Sequence, residues 1–326
     1  MNMNREEKKR ISLRISVTPR CQLRCLYCQP DRPRRTEEKW LGVEEILRFV
    51  RAVQTRFAIA KIHLTGGEPL LWPGILFLIE KLTDEGIAGL ALTTNGQLLS
   101  EKASDLKNAG LKRVNISLDA IEEKSFRSLT GTGELRRTLD GIDAALDSGL
   151  DPVKLNTVVM KGRNDDQILP VARFGLDRNC RVRFMELMPI GCIRPRFHEF
   201  FVSSSDVRSR LRKFFTLEAI PYNKGQSSRY FSARESSGRR GTIGFISPET
   251  EPFCEGCTRI RLTADGTLIS CLARGTGPNI KKHLQNDSPY SVRSLKKTVE
   301  TALAEKCDPA PISHFETARP MTTVGG

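Results

Sequence analysis

In Ile11-Ser12-Leu13-Arg14-Ile15-Ser16-Val17 every second residue is apolar, the period of a strand with one buried face. Val43, Ile46, Leu47, Val50, Val53 and Phe57 then recur at helical spacing. Short β-type segments at 61–65, 90–94, 113–118, 153–159 and 182–186 predict five more strands. Helical patterns fall between them at 75–81, 134–147 and 165–177, with one more helix for which Ser100 is the N-cap and Gly110 the C-cap. Strand and helix thus alternate from about residue 11 to 187.

A repeated β-α unit implies a parallel sheet with right-handed crossovers. Six units fall short of the eight that close a TIM barrel. The expected fold class is therefore α/β: an open partial (β/α)6 TIM-like barrel over residues 1–189, with a smaller C-terminal domain over 190–326. In such folds the chemistry lies at the carboxyl ends of the strands, so the loops directly after strands are the places to look. The pattern breaks down after Pro189. Residues 190–240 read as irregular and basic, with turns or loops at 225–228 and 236–238. The closing Thr322-Thr323-Val324-Gly325-Gly326 is too flexible by composition to pack on its own.

A hydrophobic fraction of 39% over 326 residues is that of a globular protein. The first eight residues lack the apolar stretch of a signal peptide and no apolar run could span a bilayer, so a cytoplasmic address without a membrane partner is expected. The net charge of +14 favours polyanions in general, whether nucleic acid, acidic protein or a phosphorylated small molecule. It does not choose among them.

The nine cysteines change the picture more. Six fall into two tight groups, Cys21/Cys25/Cys28 and Cys254/Cys257/Cys271, and such clustering points to metal. Cys180, Cys192 and Cys307 are scattered and read as buried free thiols. Three thiolates within eight residues, in the loop after the first strand, suit a four-iron cluster that keeps one iron open to an outside ligand. The competing readings are zinc and a redox dithiol. Zinc would want a fourth ligand, and no His or Cys lies between Cys28 and His63.

With Tyr27 before its last cysteine, the first triad resembles the signature of the radical S-adenosylmethionine superfamily, and Thr65-Gly66-Gly67-Glu68-Pro69 is similar to that superfamily's glycine motif. Further matches run along nearly the whole chain. They are Thr93-Thr94-Asn95-Gly96, Val114 to Asp119, Val153 to Asn156, Arg183 to Pro189, Phe253 to Gly266 with Cys271-Leu272, and Gly325-Gly326. This ordered set resembles the GTP 3′,8-cyclases of molybdenum cofactor biosynthesis.

That resemblance implies two [4Fe–4S] clusters, one on each triad, with S-adenosylmethionine on the first and the guanine of GTP on the second. It implies a 5′-deoxyadenosyl radical that takes hydrogen from C3′ of GTP, after which the ribose radical attacks C8 and reduction gives 3′,8-cyclo-7,8-dihydro-GTP. Tyr27, Gly66, Gly67, Glu68, Thr94, Ser117 and Met188 match positions around the S-adenosylmethionine. Arg14, Lys61, His63, Lys154, Arg259 and Arg261 match positions on GTP. Arg14, Lys154, Arg183, Arg259, Arg261, Gly325 and Gly326 match positions that govern turnover. The implied partners are GTP, a reductant protein of flavodoxin or ferredoxin type, cyclic pyranopterin monophosphate synthase downstream, and a second copy in a homodimer; nucleic acid is not among them.

There are departures. His63 stands where the family usually has Arg, which implies a weaker or pH-dependent phosphate contact. Pro19, Gln22 and Gln29 replace the commoner Asp, Asn and Met, and Trp72 replaces a basic residue. Two alternatives stay open: a diverged radical enzyme acting on another nucleotide or a peptide, and, from a different class, a zinc-binding nucleic-acid module in which Cys307 or His283 completes the second site.

Overall fold

The computed structural model describes residues 8–28, 40–285, 288–307, 319 and 321–324. Six parallel strands, β1 (Arg10–Ser16), β2 (Ala58–Thr65), β3 (Leu90–Thr94), β4 (Arg113–Ser117), β5 (Val153–Val159) and β6 (Arg181–Glu186), lie side by side in sequence order. Helices α1 (Val43–Gln54), α2 (Ile75–Asp84), α3 (Leu99–Asn108), α4 (Glu123–Thr130), α5 (Leu135–Asp147) and α6 (Ile168–Asp177) make the crossovers. The sheet stays open, ending in edge strands instead of closing into a ring.

The C-terminal residues lengthen this same sheet at both ends. At one end β9 (Arg240–Ile246) adds in parallel to β6, followed by antiparallel β8 (Arg229–Glu235) and β7 (Phe215–Ala219). At the other, β10 (Arg259–Leu262) adds in parallel to β1, and β11 (Leu268–Ile269) pairs antiparallel with β10. The remaining helices are α7 (Phe197–Phe200), α8 (Ser204–Leu211), α9 (Lys281–Leu284), α10 (Pro289–Cys307) and α11 (Met321–Val324). Among the described residues no helix is long and apolar enough to cross a membrane.

One rule of alternation decides what this sheet presents. Ile11, Leu13 and Ile15 of β1, Ile62 and Leu64 of β2, Leu90 and Leu92 of β3, Val114 and Ile116 of β4, and Ile260 and Leu262 of β10 join Ile46, Phe49, Leu78, Leu106 and Ile142 of the helices in one core. Burying a Leu or Ile side chain contributes about 1.5–3 kcal/mol, so the apolar partner of each strand is fixed to the helical side. The residues between them must face the other way. That face carries Arg14, Lys61, His63, Thr93, Arg113, Asn115, Lys154, Arg183, Arg259 and Arg261.

The structure differs from the sequence expectation at several points. Ser100 lies inside α3 instead of capping it, because Leu99 is fully buried and its amide bonds the Gly96 carbonyl, which starts the helix two residues earlier, with Leu98 as N-cap. Ala109 is the C-cap, and Gly110, at φ +106°, follows it and bonds the Lys107 carbonyl. Helix α4 went unpredicted; eight residues burying Phe126, Leu129 and Thr130 are too short for a clear period. Residues 190–240 are not irregular throughout: α7, α8, β7 and β8 form there, with β8 placed by pairing with β9 and β7 by pairing with β8. The two expected turns do fall between strands. The tail also packs: Thr322 and Val324 are buried against the barrel.

Candidate active site

The loop after β1 and the loop after β2 are fastened together. Gly67 and Glu68 amides donate to the Thr18 and Arg20 carbonyls, both at 2.7 Å. This closeness needs glycine: a Cβ on Gly66, at φ +139°, would stand 2.3 Å from the Thr18 oxygen, and one on Gly67 would stand 2.3 Å from that of Arg20. The fastened loops line one cavity, into which Cys21, Cys25 and Cys28 open together with Tyr27, Gly66, Gly67, Thr94, Ser117 and Met188. Met321 and Thr322 of α11 line it too, and the Thr322 backbone reaches the Cys28 thiol.

Burial pushes all three thiols up, Cys21 to about 11, Cys28 to about 12 and Cys25 well above the ordinary range, with mutual repulsion of the thiolates adding to it at Cys25 and Cys28. Such donors ionise only against a strong local positive charge, as a bound metal would supply. Asn95 Nδ2 lies 3.7 Å from Cys21 Sγ. Cys192 is exposed, contrary to the expectation of a buried thiol, because its turn brings it over the triad loop with its thiol 3.6 Å from the Cys28 carbonyl. Cys180 is buried as expected, and the Cys307 side chain lies outside the described residues.

Glu68 is not part of the cavity lining. Its carboxylate accepts from Thr94 Oγ1 at 2.7 Å, from the Asn95 amide at 2.7 Å and from the Leu70 amide at 3.0 Å, so it clamps the loop after β3 to the loop after β2. Burial raises it to about 7 against those three donors. Asp119, raised by burial to about 6, accepts from Tyr27 OH at 2.7 Å and the Val158 amide at 2.9 Å.

Beyond the cavity on the same face of the sheet lies a field of cations. The groups that act on Lys61, His63 and Lys154 besides burial are all positive: Arg113, Lys154, Arg14 and Arg259 on Lys61; Arg14, Lys61, Arg183 and Lys154 on His63; Arg183, Arg181 and Arg113 on Lys154. Burial and these neighbours bring Lys61 down to about 8 and Lys154 to about 7, and hold His63 well below its ordinary range. The ring of His63 is thus favoured in its neutral form, at a position for which the sequence suggested a weaker or pH-dependent phosphate contact. Arg14 is depressed by burial and by Arg261, Arg259 and Arg183; Arg261 falls to about 10 through burial and Arg259. Buried like charges persist where an anion is to be received.

The second triad sits at the β10 end. Cys254 is exposed, Cys257 and Cys271 are half-buried, and none of the three lines the first cavity. Cys257 and Cys271 act electrostatically on Arg261, which ties this triad to the cation field. Arg259 donates to the Gly225 carbonyl at 3.3 Å and stacks 4.8 Å over the Phe253 ring. Gly325 and Gly326 lie outside the described residues. Sequence reasoning did not single out Arg113, Thr93, Asn115, Asn156 or Asp119 as site residues. The signal was present in strand alternation, which puts Arg113, Asn115 and Ser117 of β4 on one face.

A family model described as Radical SAM superfamily matches residues 15–175, and one described as Molybdenum Cofactor Synthesis C matches residues 180–310. A GTP 3′,8-cyclase of Thermodesulfovibrio yellowstonii is 41% identical over 320 residues, 96% of this chain and 97% of that protein. One of Pseudomonas entomophila is 42% identical over 301 residues, 90% of this chain and 88% of that protein. This chain belongs to the GTP 3′,8-cyclase family. Among solved structures, Streptococcus suis SuiB bound to S-adenosylmethionine aligns with a TM-score of 0.58 at 15% identity, over 94% of this chain and 67% of that one. At that identity the likeness concerns the fold, and it is the radical S-adenosylmethionine fold.

Membership of that superfamily brings a [4Fe–4S] cluster and S-adenosylmethionine with it. The residues fit both: three thiols share one cavity, as the ligands of one cluster must. Asn156, also in the cavity lining, has its Oδ1 buried with no hydrogen-bond partner, an acceptor left for a donor on a ligand.

Proposed function

We propose that this protein is a GTP 3′,8-cyclase that converts GTP to 3′,8-cyclo-7,8-dihydro-GTP, an early step of molybdenum cofactor biosynthesis. The observation that carries the reading is the adjoining of two things on one sheet face: a cavity lined by three thiols, and a buried field of cations reaching from β6 to β10. The functional division falls near residue 189, with the first unit generating the radical and the second receiving the base of the nucleotide.

Cys21, Cys25 and Cys28 would hold the first [4Fe–4S] cluster, and Cys254, Cys257 and Cys271 a second. With S-adenosylmethionine bound, the first cluster supplies one-electron cleavage to a 5′-deoxyadenosyl radical. The chain's own part is placement and exclusion of water. Gly66 and Gly67 let backbone approach the methionyl group. Tyr27, held by Asp119, walls the triad, and Glu68 fixes Thr94 in its place. Ser117 and Met188 complete the pocket. Arg14, Lys61, Lys154, Arg183, Arg259 and Arg261 receive the triphosphate, with their like charges neutralised on binding. Met321 and Thr322 line the cavity, and Gly325 and Gly326 would act in turnover. A small reductant protein of flavodoxin or ferredoxin type would supply electrons, the product would pass to cyclic pyranopterin monophosphate synthase, and the chain would work as a homodimer.

The test is anaerobic incubation with S-adenosylmethionine, a reductant and GTP, following 5′-deoxyadenosine. Its formation should depend on GTP. Equal formation without GTP, or formation only with another nucleotide, refutes the substrate.

A further inference from the structure

Arg183 donates from Nη2 to Asn115 Oδ1 at 2.8 Å. A guanidinium has donors and no acceptor, so this contact decides which end of the Asn115 amide faces it: the oxygen. The amide nitrogen must then face the opposite way, where it lies 2.7 Å from His63 Nε2 and 3.2 Å from Thr93 Oγ1. An NH2 group at 2.7 Å from an imidazole nitrogen requires that nitrogen to be the acceptor. Thr93 Oγ1 lies 2.7 Å from the same Nε2 and is equally obliged to offer it a hydrogen. Whichever donor takes the lone pair, Nε2 carries no proton, and the ring proton sits on Nδ1.

We infer that His63 is a positioning residue, a neutral hydrogen-bond acceptor that orients Asn115 and through it aims the Arg183 guanidinium at the substrate's phosphates. It does not itself pair with phosphate. The chain of contacts spans five adjacent strands, from His63 on β2 past Thr93 on β3 and Asn115 on β4, then across β5 to Arg183 on β6. Arg14 of β1, Lys61 of β2, Lys154 of β5 and Arg183 of β6 are the charged groups facing the ring, and each favours its neutral form. Arg183 is 8% exposed, also meets Tyr230, and has its Nε buried without a partner, so one edge is held by Asn115 while a donor remains for an anion. A protonated His63 would set N–H against N–H, and relieving that by turning the Asn115 amide would remove the acceptor from Arg183. This rests on the reading of the substrate as GTP.

The experiment compares His63→Phe, which keeps a ring and removes the acceptor, with His63→Gln, whose Oε1 restores one. Each is measured in the holoenzyme for kcat and KM with GTP, alone and combined with Arg183→Ala. His63→Phe should raise KM roughly tenfold with little change in kcat, the loss expected for one hydrogen bond to a charged group. His63→Gln should recover most of it. In the Arg183→Ala background His63→Phe should add less than about twofold, because the link it breaks is already gone. An unchanged KM in His63→Phe, failure of the Gln rescue, or a full additional tenfold loss in the Arg183→Ala background overturns the proposal. Should His63→Phe not assemble its clusters, Asn115→Ala cuts the same link and must give the same KM effect and the same non-additivity. Calorimetric binding of inorganic triphosphate to the same set separates the two readings. A wild type that binds triphosphate but does not turn over GTP sinks the substrate alone, and the non-additivity in triphosphate binding then decides on His63. A wild type that binds neither sinks both.

Discussion

Binding of GTP should draw protons out of solution, and two lysines set the amount. In the nucleotide-free protein burial and neighbouring cations bring Lys61 down to about 8 and Lys154 to about 7. Both shifts empty the amines. At pH 8 about half of Lys61 and about a tenth of Lys154 carry a proton. A triphosphate set against the same face favours the charged forms and returns both to their ordinary range, so about 1.4 protons enter per nucleotide bound at pH 8. The sign follows: affinity falls as pH rises through 7 to 9, with Kd climbing about 1.4 log units per pH unit near pH 8. At pH 6 both lysines are already charged and their share of the uptake shrinks to about a tenth of a proton.

The assay is anaerobic titration calorimetry of the holoenzyme with GTP at pH 8, in two buffers of different ionisation enthalpy. The dependence of the observed heat on buffer enthalpy gives the number of protons directly. Lys154→Met should reduce the uptake to about half a proton, and Lys61→Met to about 0.9, the part each remaining lysine contributes. No uptake at pH 8, or an unchanged uptake in the double variant, would show that these lysines do not form the phosphate site.

Other outcomes follow from the geometry of the loops and triads. Gly66→Ala places a Cβ 2.3 Å from the Thr18 oxygen at φ +139°. It should cost roughly 2–4 kcal/mol in denaturant unfolding and abolish S-adenosylmethionine cleavage. Cys25→Ser should lower iron from about eight to about four atoms per chain and abolish 5′-deoxyadenosine formation. Cys271→Ser should lose a similar amount of iron yet keep the uncoupled cleavage of S-adenosylmethionine, and a protein equally inactive in both would tell against separate clusters. Replacing Gly325 and Gly326 together by alanine should abolish turnover while both clusters still assemble; full activity of that variant refutes a role for the pair.

The barrel was legible because its strands carry the decision themselves. Ile11, Leu13 and Ile15 alternate with Ser12 and Arg14 so plainly that register, face and core follow from local sequence. Where the period is short or the strand lies toward an edge, the sequence loses that power. In β8 most residues are only half-buried, and its place comes from pairing with β9 across a turn. The tail is the extreme case: nothing in Thr322 or Val324 says helix, and burial against the barrel decides their conformation.

The site divides along the same line. Cys21-x3-Cys25-x2-Cys28 is legible as a candidate metal site since all its parts lie in one loop, and its resemblance to a family signature, with Tyr27 and the Gly66-Gly67 motif, carries the chemistry further than the spacing does. Glu68 could be found by its motif, yet its three bonds to Leu70, Thr94 and Asn95 make it a clamp between loops, which no motif displays. The pair of His63 and Asn115 is also hidden from the sequence, being 52 positions apart and joined across β3, which stands between their strands. From sequence, His63 is a weakened cation. In the sheet, the Arg183 guanidinium fixes the Asn115 amide, the amide fixes the imidazole tautomer, and the apparent loss of a charge becomes the acceptor that lets the cations around it be aimed.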